Sequence, residues 1–397
     1  MKLTILACIV FAFSLTIFFS ACKKEGGANG NEIVVGEYAS LTGNTATFGK
    51  SSHNGTALAI DEINAAGGVL GKQIKLISED DQSKPEDAVN AVQKLINRDH
   101  IVALLGEVAS GRSRAGGPIA QAAKIPMISP ASTDEEVTKI GDYIFRICFI
   151  DPFQGEVLAN FAMKTLHAKR AAVLVDNKQP YSLGLESSFN ATIRKNGADI
   201  VNEQAYTSGD KDFRAALTSI RASNPDVIFV PGYYGEVSLI VRQARELGIT
   251  VPLIGGDGWD SPELTKGAEA QFNNTFFSNH LSTEDPDPAV QNFIKKYKAK
   301  YNSEPDAMAA LGYDSGNILA DAIKRAGSTD PQKLRDAIAA TKDFPGVTGS
   351  ITIDKDRNAS KPLTILQIVD GKYHFAQRIS AKGDPMTEFK PMAAGTK

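Results

Sequence analysis

The chain has 397 residues, of which 42% are hydrophobic and 22% are charged, and its formal net charge is −3. This length allows two separate hydrophobic cores, and the composition is that of an ordinary globular protein. The slight acidic excess argues against a nucleic-acid-binding surface, which usually needs a basic patch. The cysteines and histidines show no spacing typical of a metal site, so we expect no metal and no other cofactor.

The N-terminal segment has the pattern of an export signal. Lys2 precedes an apolar run over residues 3–19, which ends in Ser20-Ala21-Cys22. This pattern predicts a signal peptide over residues 1–21, because the run is short for a membrane-spanning helix. Small residues before a cysteine resemble a bacterial lipobox, although Phe19 stands where leucine is usual. We expect a lipid on Cys22 and a flexible tether over 22–31, with plain secretion as the alternative.

Strand and helix patterns alternate along the rest of the chain. Apolar, β-branched runs predict strands at 33–38, 74–79, 101–106, 126–129, 143–147, 171–175, 200–206, 227–230, 252–254, 275–278, 350–354, 364–369 and 373–377. Helical periodicity and capping signals predict helices at about 54–66, 83–97, 113–123, 151–166, 182–196, 211–222, 236–247, 288–301, 307–326 and 331–341. The alternation predicts an α/β protein with two doubly wound parallel sheets and a cleft between them.

The stretch from Ile101 to Thr133 places small polar residues after two neighbouring strands. Ligands of such α/β units sit beyond the carboxyl ends of parallel strands. The residues at these two ends are Ser110, Gly111, Ala131, Ser132 and Thr133. Free amides at the start of the intervening helix can bind a carboxylate, and the hydroxyls can donate or accept. The stretch therefore predicts a site for a small zwitterion.

Two segments come close to a phosphate-binding loop, but neither fits it. The segment from Gly106 to Ser113 has the glycine spacing with Arg112 where lysine belongs, and the segment from Gly43 to Ser51 has one residue too many. Without the lysine in the right position, nucleotide binding is not expected. The sequence has no G-x-S-x-G elbow and no convincing catalytic constellation, so we do not expect an enzyme.

Aromatic residues recur after predicted strands. These are Phe48, Tyr181, Tyr233 and Tyr234. Any one of them alone is more often a packing residue, but together they favour a lined pocket. Asp257, within Gly255-Gly256-Asp257-Gly258, also follows a strand. Asp257 fits two interpretations: an ordinary turn residue, or a carboxylate that faces an ammonium group of a ligand.

Several motifs resemble the leucine/isoleucine/valine-binding proteins of ABC transporters. They are Ala39-Ser40-Leu41-Thr42-Gly43 with Phe48-Gly49, Asp61 to Gly68, Ile128 to Thr133, Asp176 to Tyr181, Lys211-Asp212-Phe213, and Gly232-Tyr233-Tyr234 followed by Arg242-Gln243-Ala244-Arg245. The resemblance implies the type I periplasmic binding protein fold, with two lobes joined by three hinge crossings. It places the N-terminal lobe at 31–151 and 281–362, and the C-terminal lobe at 152–280 and 363–390.

The resemblance also implies a set of ligand contacts. Ser110 and Thr133 would hold the α-carboxylate, and the Ala131 carbonyl, Thr133 and Asp257 would receive the α-ammonium. Asp257 stands where many relatives have glutamate, and Met308 stands where some have phenylalanine. Phe48, Tyr181 and Tyr233 would line the cleft. With Ser132 from the second strand end, these residues form the expected ligand-binding set.

The implied function is capture of a branched-chain amino acid outside the cytoplasm and its delivery to the permease of an ABC importer. The protein would act as a monomer in the periplasm or on the cell surface, held near the membrane by the lipid on Cys22. The alternative is a sensor that binds another small amino acid or amide. The third hypothesis is an enzyme that acts on a small amide or amino acid.

Overall fold

A computed structural model describes residues 31–393 of the chain. Its strands are β1 (Glu32–Ala39), β2 (Gln73–Asp80), β3 (Ala103–Leu105), β4 (Met127–Ser129), β5 (Ile144–Arg146), β6 (Arg170–Asp176), β7 (Asp199–Tyr206), β8 (Val227–Phe229), β9 (Leu253–Gly255), β10 (Thr275–Asn279), β11 (Phe344–Gly346), β12 (Gly349–Ile353), β13 (Ala359–Ser360), β14 (Leu363–Val369) and β15 (Lys372–Ile379). The helices are α1 (Ala46–Ala65), α2 (Pro85–Asn97), α3 (Ser110–Ala122), α4 (Glu136–Lys139), α5 (Asp151–Asn160), α6 (Pro180–Lys195), α7 (Arg214–Ala222), α8 (Tyr234–Glu246), α9 (Pro288–Tyr301), α10 (Ala307–Ala326) and α11 (Pro331–Ala339). The predicted signal peptide and Cys22 lie outside the described residues.

Two large sheets organise the molecule. The first is parallel, in the order β2-β1-β3-β4-β5. The second has the order β15-β14-β10-β9-β8-β6-β7, in which β14 is antiparallel to both of its neighbours and all other pairs are parallel. Strands β11, β12 and β13 form a small third sheet. The predicted α/β class with two doubly wound lobes is confirmed, and the final hairpin makes one edge of the second sheet antiparallel.

The short strand β3 shows why the first sheet is buried on both faces. Its central residue Leu104 packs with residues of α2 and α3, including Leu95. The flanking Ala103 and Leu105 belong to the cluster on the opposite face, which includes Ile60 of α1. Because successive side chains point to opposite faces, an uninterrupted apolar strand needs helices on both sides. We call this sheet with its helices the first lobe, and the seven-stranded sheet with its helices the second lobe.

The chain passes between the two sheets three times. It leaves the first sheet after β5 for β6, leaves the second sheet after β10 for helices α9 to α11, and returns from β13 to β14. Helix α10 lies against α1, where Thr56 Oγ1 donates to the Gly312 carbonyl at 3.3 Å, so these late helices belong with the first lobe. The residue at which each lobe ends stays a prediction.

Helix α1 starts earlier than predicted. The sequence suggested a loop over 39–52, but the helix begins at Ala46. Glycine and serine in Gly49-Lys50-Ser51-Ser52 have weak helix propensity, and tertiary packing overrides it. A side-chain carbon on Gly49 would lie only 2.1 Å from the Ser40 carbonyl, so this turn is pressed against the end of β1. Helix α3 likewise begins at Ser110 rather than Ser113, and α4, β11 and β13 were missed.

The contact between α1 and α10 depends on a glycine. A side-chain carbon added to Gly312 would lie 2.1 Å from the Ser52 carbonyl oxygen, which is far inside contact distance. The first turns of the same two helices carry Phe48 and Met308, so the close approach of the helices also fixes the separation of these two side chains.

We therefore expect Gly312→Ala to lower the free energy of unfolding by about 2 kcal/mol, because the added methyl group forces the two backbones apart. Urea unfolding of the ligand-free protein measures this. Gly235→Ala in α8 is the matched control, since nothing lies within 4 Å of its added carbon. The control should be neutral or stabilising by up to about 1 kcal/mol. Equal losses in the two variants would contradict this account of the helix contact.

Candidate functional site

A small cavity lies between the two lobes, at the carboxyl ends of strands from both sheets. Its volume is about 210 Å³. It is lined by Phe48, Val108, Ser110, Ala131, Thr133, Tyr181, Tyr233, Asp257, Gly258 and Met308.

The first lobe contributes hydroxyl groups to the cavity wall. Ser110 begins α3, and its hydroxyl oxygen accepts a hydrogen bond from the Asp134 amide at 3.2 Å. Its own proton stays available for donation. Thr133 follows β4, and its hydroxyl is buried without a hydrogen-bond partner in the described part of the chain, although the Asp151 carboxyl group lies beside it. Both hydroxyls can therefore serve a ligand.

The start of α3 adds backbone donors to the same wall. The earliest hydrogen bond of this helix runs from the Arg112 amide to the Ala109 carbonyl at 3.1 Å. The amides of Ser110 and Gly111 precede that bond, as the first amides of any helix do. Together with the helix dipole, they favour a negatively charged group at this end of the cavity.

A buried ion cluster supports this wall from behind. The Arg112 guanidinium lies 3.1 Å from Glu107 and 3.8 Å from Asp81, and it donates to the Thr45 hydroxyl at 2.8 Å. Burial, with the nearby Glu107, raises the pKa of Asp81 above its usual range. Arg112, which stands where a phosphate loop would have lysine, is thus a structural residue that ties three loops together.

Ser132 belongs to this support and does not line the cavity. Its hydroxyl lies 2.9 Å from the Glu107 carbonyl and 2.7 Å from the Ser113 hydroxyl. Its carbonyl accepts hydrogen bonds from Arg146 and Cys148. Ala131 and Thr133 line the cavity, whereas the Ser132 hydroxyl is bonded within the support; that Ser132 contacts the ligand stays a prediction.

The second lobe places one carboxylate at the cavity. Asp257 opens a short 3-10 turn directly after β9 and is 2% exposed. The turn is fixed by two hydrogen bonds, from the Asp257 amide to Gln154 at 2.8 Å and from the Gly258 amide to the Tyr181 hydroxyl at 2.9 Å. A side-chain carbon on Gly256 would lie 2.4 Å from that hydroxyl, so only glycine fits before Asp257.

The two oxygens of Asp257 have different surroundings. Oδ2 lies 3.1 Å from Nε2 of His280, whose side chain is fully buried. Oδ1 is buried and has no hydrogen-bond partner within residues 31–393. A buried carboxylate oxygen left without a partner is costly, so this oxygen needs a donor from outside the chain.

Aromatic rings complete the wall. Tyr181 and Tyr233 are stacked with centroids 5.0 Å apart and planes 5° apart, and the Phe48 ring meets Tyr233 edge-on at 5.7 Å. Burial raises the pKa of both tyrosines far above the usual value, so their hydroxyls stay protonated. The Tyr233 hydroxyl has no hydrogen-bond partner in the described region.

The lobes are closed over this cavity. The Phe48 ring of the first lobe meets the Tyr234 ring of the second lobe edge-on, with ring centroids 5.0 Å apart. The Thr47 and Ser261 hydroxyls are 3.0 Å apart, and the Ala307 amide donates to Asp260 at 2.8 Å. The two lobes are therefore in direct contact around the cavity.

A larger hollow of about 1,820 Å³ lies beside the crossing segments and is open to solvent. The carboxylates of Asp260 and Asp306, which line it, already have partners inside the protein. Asp260 accepts from the Ala307 amide, and Asp306 caps α10 through the Ala309 amide at 2.9 Å. We therefore place the candidate site in the smaller cavity, where buried polar groups lack partners.

Sequence comparison agrees with this geometry. The family described as "Periplasmic binding protein" matches residues 32–372 of the chain. The chain belongs to the periplasmic binding protein family. A Brucella melitensis protein named Leu/Ile/Val-binding protein homolog 3 is 30% identical over 364 residues, covering 91% of this chain and 96% of that protein.

Two solved structures of this family are similar across both lobes. The leucine binding protein LivK from Thermotoga maritima has a TM-score of 0.83 and 38% identity, covering 88% of this chain and 99% of that one. The branched-chain amino acid transporter substrate-binding protein LivJ from Streptococcus pneumoniae, in complex with isoleucine, has a TM-score of 0.83 and 36% identity, covering 86% and 98%. These likenesses confirm the type I fold.

The structure brings eight of the nine expected ligand-binding residues to the cavity. They are Phe48, Ser110, Ala131, Thr133, Tyr181, Tyr233, Asp257 and Met308. The sequence analysis did not predict Val108 or Gly258. Val108 lies in the turn before α3, and Gly258 follows the predicted Asp257. Trp259, which follows Gly258, is a core residue of the second lobe, and its ring nitrogen donates to the Val230 carbonyl at 3.0 Å.

The part of the chain that the structure describes holds no group of metal-ligating side chains. Within the same residues, no helix is both long and apolar enough to span a bilayer. Cys148 is a buried free cysteine.

The stacked tyrosines give a test of this geometry that needs no ligand. Tyr181→Phe removes the acceptor of the Gly258 amide, so we expect the free energy of unfolding to fall by about 1 kcal/mol. Tyr233→Phe removes a hydroxyl without a partner, and the change should stay within about 0.5 kcal/mol. Urea unfolding measures both variants. A larger loss for Tyr233→Phe than for Tyr181→Phe would show that the hydroxyls are bonded differently.

Proposed function

We propose that this protein captures a free branched-chain amino acid between its lobes and delivers it to an ABC importer. The observation that carries the proposal is one closed cavity with complementary ends. Buried hydroxyls and helix amides of the first lobe stand at one end, and the Asp257 carboxylate oxygen of the second lobe lacks a partner. An α-amino acid offers the matching carboxylate and ammonium groups.

The first lobe binds the α-carboxylate. The Ser110 and Thr133 hydroxyls and the first amides of α3 donate to its oxygens. Hydrogen bonds to a charged group in a buried site are worth about 1.5–3 kcal/mol each, which is enough to select for an acid group. The rigid ion cluster of Glu107, Arg112 and Asp81 keeps these donors in place.

The second lobe binds the α-ammonium through Asp257. In a closed cavity an ammonium without an acceptor is costly, and so is a carboxylate without a donor. The Ala131 carbonyl at the opposite wall is a second acceptor for the same group. Each charged end of the ligand therefore relieves a polar group that the closed protein leaves without a partner.

The remaining wall sets the preference for an aliphatic side chain. Phe48, Val108 and Met308 are apolar, almost fully buried, and line the cavity. The relatives named Leu/Ile/Val-binding protein and LivJ, with its bound isoleucine, support the same ligand class. A methyl group changes binding in an apolar pocket by about 1–3 kcal/mol, so leucine, isoleucine and valine should bind with graded affinities.

Capture proceeds by closure of the two lobes. The open protein exposes the hydroxyl wall of the first lobe, so the carboxylate binds there first. The second lobe then brings Asp257, Tyr181 and Tyr233 onto the ligand. Because the full set of contacts exists only in the closed form, the ligand shifts the population toward that form. The closed protein is the form that the permease recognises.

The lipid on Cys22 places this cycle at a membrane surface. The apolar run before Ser20-Ala21-Cys22 supports export, and the cysteine supports attachment. A tethered monomer in the periplasm or on the cell surface stays close to the permease. Mass spectrometry of the mature N-terminus would reveal an acylated cysteine, whereas an unmodified N-terminus would reject the anchor.

Asp257→Asn tests the proposal directly. The variant keeps the shape of the side chain and removes the charge that faces the ammonium group. We expect its dissociation constant for leucine to rise by roughly 100-fold, which corresponds to about 3 kcal/mol. Isothermal titration calorimetry of the mature protein measures the change.

Asp212→Asn is the matched control, because the same substitution falls on a side chain that is 72% exposed. Its dissociation constant for leucine should equal that of the parent protein. If Asp257→Asn binds leucine as tightly as this control, the proposed ammonium contact is wrong.

A further inference from the structure

We propose that His280 is the positioning residue for Asp257: it holds one carboxylate oxygen so that the other faces the ligand's ammonium group. This inference rests on the proposed function and names a residue that touches no ligand. His280 does not line the cavity, and its side chain is completely buried behind it.

The two oxygens of Asp257 differ in their hydrogen-bond partners. Oδ2 lies 3.1 Å from Nε2 of His280, while Oδ1 has no partner in the described residues. A carboxylate can rotate about its Cβ–Cγ bond, and a partial rotation of its plane would turn both oxygens away from their partners. The histidine contact removes that freedom, because Oδ2 can keep its donor in only one orientation.

The surroundings of the imidazole fix its tautomer. The carboxylate can only accept, so the proton lies on Nε2. Nδ1 is buried and has no hydrogen-bond partner within the described chain, which fits an unprotonated nitrogen. Burial lowers the pKa of His280 to about 4, because it outweighs the hydrogen bond and the charge of Asp257, which raise the pKa. His280 is therefore a neutral donor, and it leaves the negative charge of Asp257 for the ligand.

The ring of His280 is locked by the crossing segments. It stacks on Phe149 with centroids 3.8 Å apart and planes 20° apart. Phe149 lies in the first crossing, between β5 and α5, and His280 lies in the second, directly after β10. The His280 amide also donates to Asn279 at 2.8 Å. The orientation of the ammonium acceptor is thus set by the segments about which the lobes rotate.

Two substitutions separate this role from simple packing. In His280→Gln the amide nitrogen reaches the position of Nε2, so the donor to Asp257 is kept. In His280→Asn the amide reaches only as far as Nδ1, so the donor is lost while the residue stays polar. We expect the dissociation constant for leucine to rise at least tenfold in His280→Asn and to stay within threefold of the parent in His280→Gln. Calorimetry of the mature protein measures both.

The double variant with Asp257→Asn shows whether the effect of His280→Asn on leucine binding depends on the Asp257 carboxylate. A role in packing alone would not depend on it. If His280 acts through Asp257, then His280→Asn should weaken leucine binding by no more than twofold in that background. Equal losses in His280→Asn and His280→Gln, or full additivity with Asp257→Asn, would overturn the inference. So would a His280→Asn variant that binds leucine as the parent does.

The unsubstituted protein provides a second measurement, which stays valid if a variant fails to fold. Long-range ¹H–¹⁵N spectra of the leucine complex should show His280 as the Nε2-protonated neutral tautomer throughout pH 5.5–8. A proton on Nδ1, or titration within that range, would overturn the inference. The proposed function fails separately, if Asp257→Asn binds leucine as the parent does. If Asp257→Asn loses binding and His280→Asn keeps it, only the present inference fails.

Discussion

The closed structure depends on one electrostatic constraint, the Asp257 carboxylate oxygen that is buried without a donor among residues 31–393. Proteins rarely leave such an atom unpaired, because the penalty is about 1–3 kcal/mol and is larger for a charged group. The buried hydroxyls of Thr133 and Tyr233 are in the same situation within the described chain. These groups line the cavity together, so closure without a ligand leaves several polar atoms without either water or a partner. A ligand with a donor and an acceptor in the right places removes that penalty.

This constraint explains why the rest of the molecule is rigid where it meets the cavity. The first lobe holds its donors with the Arg112 ion cluster and with the close contact of α1 and α10 at Gly312. The second lobe holds Asp257 with hydrogen bonds from the turn to Gln154 and Tyr181. In the proposed closure, movement is confined to the three crossings, and the ligand's binding energy acts on the angle between the two lobes. Domain closure of this kind converts a few new contacts into a large change of shape.

The positions around the cavity could largely be predicted from the sequence, because of a single geometric rule. Thr133, Tyr181, Tyr233 and Asp257 each follow a predicted strand, and the carboxyl ends of parallel strands converge at one edge. Ser132 lies beside two of the predicted residues, yet its hydroxyl turns toward the Glu107 carbonyl, and the sequence gives no sign of that buried acceptor. His280 was one of five scattered histidines until the fold placed it against Asp257. The start of α1 was missed because tertiary contacts stabilise a segment with weak helix propensity.

The central claim is that both ends of the ligand are bound at once, and three compounds that carry the same isobutyl group test it. Leucine carries both charged groups, 4-methylpentanoic acid lacks the ammonium group, and 3-methylbutylamine lacks the carboxylate. Calorimetry on the mature protein should give each single-ended analogue a dissociation constant roughly 100-fold above that of leucine, a loss of about 3 kcal/mol for each missing ion partner. Binding of either analogue within tenfold of leucine, or no binding of leucine at all, would contradict the account.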